Sequence, residues 1–297
     1  VADSNKSLGR PSTVPHPAAS TLLQRLERPR FRDLTTTSQQ AVAGLAAPAM
    51  SGSVTFTRNP MRPHKGSCMS LWSDFQTNTK RPIHKWKHYF PAYERHFSRF
   101  VNTDVLMVEI GCGEGGSLQM WKRYLGPHAR IVGIDINPAC QAFAEDQIDV
   151  RIGDQSDQAF LAEVLAEFGT PDIVLDDGSH VMSHIQASFD LLYPQIAKNG
   201  VYMVEDLHTA YWDEFEGGLK RKSSFIEHCK DLVDELNADH ARNALEPTEF
   251  TRSTLSMHFY DSIVVFEKGR HTQKAAPKIG SRTSALPQNF TGFWPKT

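Results

Sequence analysis

Between residues 105 and 204 the apolar positions of this chain fall into short bursts separated by amphipathic stretches, a rhythm that predicts strands alternating with helices. Strand-like runs occupy Val105 to Ile110, Arg130 to Ile134, Val150 to Ile152, Ile173 to Leu175 and Val201 to Val204. Helical spacing is predicted over Ser117 to Tyr124, Pro138 to about Asp146, Asp157 to Phe168 and Ser183 to Leu192. Such alternation implies an α/β fold whose mostly parallel sheet is covered on both faces. After Trp212 the pattern changes. Lys220 to Asn243 reads as a polar surface helix, and Leu255 to Tyr260 and Ile263 to Glu267 as two strands turning near Asp261. Strands so closely linked must run antiparallel, which adds a hairpin to one edge of the sheet.

The flanks are different in kind. Residues 1–66 are rich in Pro, Ser, Thr, Ala and Gly and read as a disordered basic arm. Within 67–100, Trp86, Tyr89, Phe90, Tyr93 and Phe97 recur at helical spacing, which predicts a helical cap packed on a catalytic domain spanning 101–268. Residues 269–297, basic and proline-containing, read as a flexible tail.

Charge follows this division. The net charge is only -2, yet residues 1–100 carry 15 Lys and Arg against 5 Asp and Glu, and the remainder 17 against 29. The basic residues of the arm are scattered without the interleaved aromatics of a nucleic-acid platform, so no nucleic-acid partner is expected. The chain starts at Val1, not at a methionine, so whether 1–66 is native, targeting or artificial stays open. Four separated cysteines and no apolar run near the roughly 18 residues needed to span a bilayer suggest a cytoplasmic protein, organellar targeting by the arm aside. A homo-oligomer is compatible with the sequence.

Candidate chemistry begins at Glu109-Ile110-Gly111-Cys112-Gly113-Glu114-Gly115-Gly116, where the first strand turns into the first helix. Glycines there let a ligand approach the backbone closely, although the same spacing satisfies GxGxxG. The next strand ends in Asp135, placed to bond ribose hydroxyls, and the third leads to Asp154-Gln155, where an adenine edge would lie. Two acidic pairs end the later strands: Asp176-Asp177-Gly178-Ser179-His180 and Glu205-Asp206. Carboxylates clustered without cysteine suit a hard cation such as Mg²⁺. Adjacent strand residues point to opposite faces, so Glu205 and Asp206 can share one ion only if the strand ends and turns there.

These strand ends, with the terminal hairpin, resemble the class I S-adenosylmethionine-dependent methyltransferases, a Rossmann-like fold. The pattern DDGSHxxxH followed by ED-x-x-T-x-YW further resembles the Mg²⁺-dependent sugar O-methyltransferases of macrolide and related glycoside biosynthesis, the mycinamicin type. The resemblance implies Glu109, Gly111, Gly113 and Asp135 around S-adenosyl-L-methionine, with Asp154 and Gln155 near the adenine, and Ser117 and Asp177 also at the cofactor. It further implies Asp177, Glu205 and Asp206 as metal ligands and His180 as the base, acting on a small-molecule or saccharide acceptor. Asp176 is expected to support the site, and His184 to pack or to brace a ligand. His208 is open between a second basic group and a bystander, and Tyr89, Tyr211 and Trp212 are candidates to border the acceptor. Methylation of a catechol or other small diol would use the same chelation. An NAD-dependent oxidoreductase is disfavoured by the hairpin and by carboxylates with no role in hydride transfer.

Overall fold

The computed structural model describes residues 70–269, 274–277 and 279–280. The arm expected over 1–66 and most of the tail expected over 269–297 therefore lie outside the described residues. Seven strands form one sheet: β1 (Leu106–Ile110), β2 (Arg130–Asp135), β3 (Ile148–Ile152), β4 (Ile173–Asp176), β5 (Val201–Val204), β6 (Thr254–Tyr260) and β7 (Ile263–Lys268). Their order is β3-β2-β1-β4-β5-β7-β6, with β1 to β5 parallel and β7 antiparallel to both of its neighbours. The hairpin thus joins the β5 edge through its second strand, and β6 becomes the new edge.

Near-continuous apolar strands reflect burial on both faces. Successive residues Met107 and Val108 enter opposite cores. One core packs the sheet against α1 (Leu71–Gln76), α2 (Phe90–Phe97) and α3 (Gly116–Leu125). The other packs it against α4 (Gln158–Phe168), α5 (Met182–Gln195) and α6 (Phe225–Leu236). A one-turn helix, α7 (Glu249–Ser253), leads into β6. The sheet therefore matches the expected class I architecture, with its parallel strand ends gathered on one edge.

Three local expectations need correction. The aromatic segment before Phe100 is not one helix: α1 and α2 are separated by a non-helical stretch that includes Pro82 to Trp86. Proline has no amide donor and biases Arg81 away from helix, so the turn cannot run through. The helix expected over Pro138 to Asp146 is a 3-10 turn, Pro138–Phe143. The polar surface helix expected over Lys220 to Asn243 shortens to α6, which buries Phe225, Cys229 and Leu232 in the core. Ser224 caps it by accepting from the Glu227 amide at 3.4 Å.

The linker before α2 is pressed against the start of α3. A Cβ on Gly116 would lie 2.0 Å from the Pro82 carbonyl oxygen, so any other residue would push the linker away. Farther along, His96 on α2 bonds through Nδ1 to Glu267 on β7 and through Nε2 to the Tyr260 hydroxyl at 2.9 Å. The hydrogen bond from His96, aided by the Arg99 charge, holds the Glu267 carboxyl down at about 2. A depressed acid stabilises the fold above its unfolded value and loses that contribution as pH falls through its folded one. Glu267→Gln is thus expected to cost about 1–2 kcal/mol at neutral pH. Urea midpoints measured against pH should show the gap to wild type closing between about 4.5 and about 2; a gap independent of pH would contradict the assignment.

Candidate active site

The parallel strand ends carry every acidic residue singled out above. Backbone bonds continue the sheet just past them: Gly111 N–H donates to Ile134 O at 2.7 Å, Asp177 N–H to Ile110 O at 2.9 Å, and Glu205 N–H to Asp176 O at 3.0 Å. Gly111 has φ +84°, and a Cβ there would sit 2.0 Å from the Asp177 carbonyl oxygen. This contact locks the glycine turn onto the acidic strand end. Of the nine non-glycine residues with positive φ among the described residues, two lie at this edge: His180 has φ 58° and Asp206 has φ 56°. Such left-handed geometry at non-glycine residues is uncommon and clusters at functional sites. At Asp206 it supplies the turn that the sequence required, since β5 stops at Val204.

A groove runs along this edge in two joined parts. One, about 180 Å³, is lined by Ile134, Asp135, Asp154, Gln155, Ser179 and His184; the other, about 440 Å³, by Lys85, Gly113, Ser117, Asp177, His180 and Asp206. Gly111, Asp135 and Gly178 border both. Asp135 is held in place by backbone donors: its Oδ2 accepts the amides of Cys112 and Gly113 at 3.1 Å each and its Oδ1 that of Asn137 at 2.9 Å. Asp154 accepts from the Ser156 amide and hydroxyl at 2.8 Å, which holds its carboxyl below the ordinary value. Gln155 differs from expectation. Its amide oxygen takes the Ser179 amide at 2.6 Å and its nitrogen donates to Asp176 at 3.1 Å, so the side chain braces the groove wall instead of offering a free edge. His184 faces the groove and shares a 3.1 Å hydrogen bond with Ser179 Oγ.

Asp176 points to the opposite face from Asp177. Buried at 1% exposure, it is held by Ser188 Oγ at 2.6 Å and by Gln155. Burial raises its carboxyl above the ordinary range. Asp177, His180 and Asp206 instead converge, with one potential ligand atom from each within 4.8 Å of the others. His180 Nε2 lies 3.9 Å from Asp177 Oδ1 and 3.8 Å from Asp206 Oδ2. Tyr89 donates to Asp206 Oδ1 at 2.5 Å, and burial keeps this phenol a donor by raising its pKa. His208 stands beside the cluster, Nδ1 3.9 Å from Asp206 Oδ1, with Trp212 4.9 Å away ring to ring.

Glu205 faces away from that convergence, beneath the groove. Its Oε1 takes a hydrogen bond from Lys85 at 2.7 Å and its Oε2 one from Tyr93 at 2.6 Å. The Lys85 ammonium also reaches Asp177 at 2.6 Å and Glu109 at 3.4 Å, with only 3% of its side chain exposed. Burial opposes this charge, but Asp177, Glu205 and Glu109 more than offset it and hold its pKa well above the usual lysine range. Burial and the Asp177 charge in turn push the Glu205 carboxyl up to about 8. Glu109 is wholly buried and takes donors from Ser117 at 2.8 Å and Trp121 at 3.1 Å, so it lies under the groove floor.

The sequence singled out neither Lys85 as the hub of three acids nor Tyr93 and Trp121 as donors to them. Its one signal was a lysine inside an aromatic-rich run.

Asp177 and Asp206 offer oxygens that fit a hard cation beside His180. Glu205 fits that set less directly, because both its oxygens already serve Lys85 and Tyr93.

Comparison with known proteins places the chain near methyltransferases. A family model described as a methyltransferase domain matches residues 108–207. The demethylmacrocin O-methyltransferase of Streptomyces fradiae is 36% identical over 229 residues, 71% of this chain and 57% of that one. The 8-demethyl-8-(2-methoxy-alpha-L-rhamnosyl)-tetracenomycin-C 3'-O-methyltransferase of Streptomyces olivaceus is 36% identical over 209 residues, 66% of this chain and 53% of that one. Among solved structures, the MycE methyltransferase from the mycinamycin pathway, in complex with Mg, SAH and mycinamycin VI, is 32% identical with TM-score 0.61. That match covers 76% of this chain and 58% of the other. The chain thus spans a little over half the length of these relatives.

Proposed function

We propose, from the methyltransferase-domain match over residues 108–207 and the similarity to sugar O-methyltransferases, that this chain transfers a methyl group from S-adenosylmethionine to a sugar hydroxyl of a small glycoside or saccharide. The observation that carries the reading is the convergence of Asp177, His180 and Asp206 at the end of a groove that begins at the glycine turn and Asp135.

Asp135 would receive the ribose, and the 111–113 backbone would pass beneath the rest of the cofactor. The cofactor supplies a methyl group already activated by its sulfonium, so the protein has mainly to align oxygen, carbon and sulfur. Asp177 and Asp206 would hold Mg²⁺, with Glu205 joining them where it shares or releases Lys85; such an ion would supply Lewis acidity that makes the one reacting hydroxyl easier to deprotonate. His180 takes the acceptor proton at Nε2, the nitrogen that faces both carboxylates. Tyr89 and Lys85 keep Asp206 and Asp177 in place without themselves losing protons.

Thermal unfolding distinguishes this function from dehydrogenase chemistry. A ligand at 100 times its dissociation constant stabilises the native state by about 2.7 kcal/mol, so S-adenosylmethionine should raise the midpoint by several degrees and NAD should not. Stabilisation by NAD alone would overturn the methyl-transfer reading.

A further inference from the structure

His180 reaches the carboxylate cluster from residues 177–181, the turn between β4 and α5. A left-handed non-glycine residue in a turn persists only where the surrounding structure over-determines it. One such restraint comes from Gln155, just past the end of β3. Its Oε1 accepts the Ser179 amide at 2.6 Å, one residue before His180, and a Cβ on Gly178 would lie 2.0 Å from the same oxygen. The turn is thus pressed directly onto this amide. Within the turn the Ser179 hydroxyl accepts the Val181 amide at 3.3 Å, and from the β5 side the Thr209 hydroxyl lies 3.3 Å from the His180 carbonyl oxygen.

Gln155 is itself fixed from below. Its Nε2 donates to Asp176 Oδ1 at 3.1 Å, and Asp176 Oδ2 in turn accepts from Ser188 on α5 at 2.6 Å and from the Tyr202 hydroxyl on β5 at 3.3 Å. Gln155 is 6% exposed and the other three no more than 1%. A buried polar network whose members are all satisfied specifies one geometry. Both ends of the Gln155 amide are engaged by protein, although the side chain lines the smaller part of the groove.

We propose that Gln155 is a positioning residue for His180: it carries the fixed geometry of Asp176, Ser188 and Tyr202 through the Ser179 backbone and so aims the imidazole at the acceptor hydroxyl. The assignment rests on the methyl-transfer reading, in which His180 is the base, and it replaces the adenine contact expected of Gln155. A misplacement of about 1 Å can cost on the order of 10²-fold in rate. A side chain that never meets the acceptor therefore controls kcat.

The test is Gln155→Met in the full chain, which keeps the length of the side chain and removes both polar ends. With a rhamnosyl glycoside as acceptor, kcat should fall about 10- to 100-fold, while calorimetric titration returns the wild-type Kd for S-adenosylmethionine. Added to His180→Ala, the same substitution should cause no further loss of kcat, because a residue that acts only through the base has nothing left to position. A raised Kd at wild-type kcat would return Gln155 to the adenine, and losses that multiply in the double variant would mark a general structural effect; either overturns the proposal. Should Gln155→Met not fold, Ser188→Ala removes the 2.6 Å donor to Asp176 and reads the same chain of contacts: lower kcat at unchanged Kd supports the assignment, and wild-type kcat overturns it. A second readout needs no turnover. In protein carrying carbon-labelled histidine, the His180 ring signal, identified by its absence from His180→Ala, should move in Gln155→Met, and an unmoved signal would overturn the proposal. A moved signal in a protein whose wild type transfers no methyl group would retain the positioning role and remove the reaction proposed above.

Discussion

In a His180→Ala variant, kcat should fall by about 10²- to 10⁴-fold, while S-adenosylmethionine binds as it does to wild type. The side chain lines only the larger part of the groove, 3.8–3.9 Å from Asp206 and Asp177, and is absent from the smaller part lined by Asp154 and Gln155, where the adenine is proposed to lie. Its loss removes the proton acceptor and leaves the cofactor seat in place. The left-handed backbone at position 180 is compatible with this design: it turns the chain sharply between β4 and α5 and aims the ring back at the carboxylates. Calorimetric titration with S-adenosylmethionine, run beside steady-state kinetics, separates the two effects. A variant that keeps kcat and shows only a raised KM would move His180 from proton transfer to acceptor binding.

The second large effect concerns stability. Lys85→Met preserves much of the side-chain length yet leaves Glu109, Asp177 and Glu205 facing one another without a cation, two of them at 0–1% exposure. Removing one partner of a buried ion pair costs about 3–5 kcal/mol. The sign of its pH dependence follows from burial, which already raises Glu109 and Glu205. Without Lys85 these acids rise further, and a raised acid is harmless where it is protonated and costly where it must ionise. The penalty should therefore be small near pH 5 and grow toward pH 8. Urea unfolding of both proteins in chelator, at each pH, reads the difference directly; an equal penalty at both would indicate lost packing instead of lost charge.

The positions of the strands and the acidic strand ends were legible because their causes are local. A buried parallel strand needs an unbroken apolar run, as at Ile173 to Leu175, and polar residues mark where burial stops. The convergence of Asp177, His180 and Asp206 was also within reach, since a parallel sheet brings consecutive strand ends to one edge. What stayed hidden depends on direction and on distant partners. Periodicity across Trp86 to Phe97 announces helix, but α2 begins only at Phe90, and Lys85 enters the acid cluster from the non-helical linker before it. The split between Glu205 and Asp206 was readable as strand alternation, but the donors that hold Glu205 back, Lys85 and Tyr93, lie 120 and 112 residues away in sequence. Gln155 was placed at the correct strand end, yet its amide is consumed by Ser179 and Asp176, contacts 24 and 21 residues away.

The central claim is that this groove carries cation-assisted methyl transfer to a sugar hydroxyl, and isotope transfer from methyl-labelled S-adenosylmethionine to a rhamnosyl glycoside tests it most directly. Label should appear on a sugar oxygen in the presence of Mg²⁺, disappear in excess chelator, and return when Mg²⁺ is restored. Full transfer in excess chelator, or label on a position other than a sugar oxygen, would contradict the account.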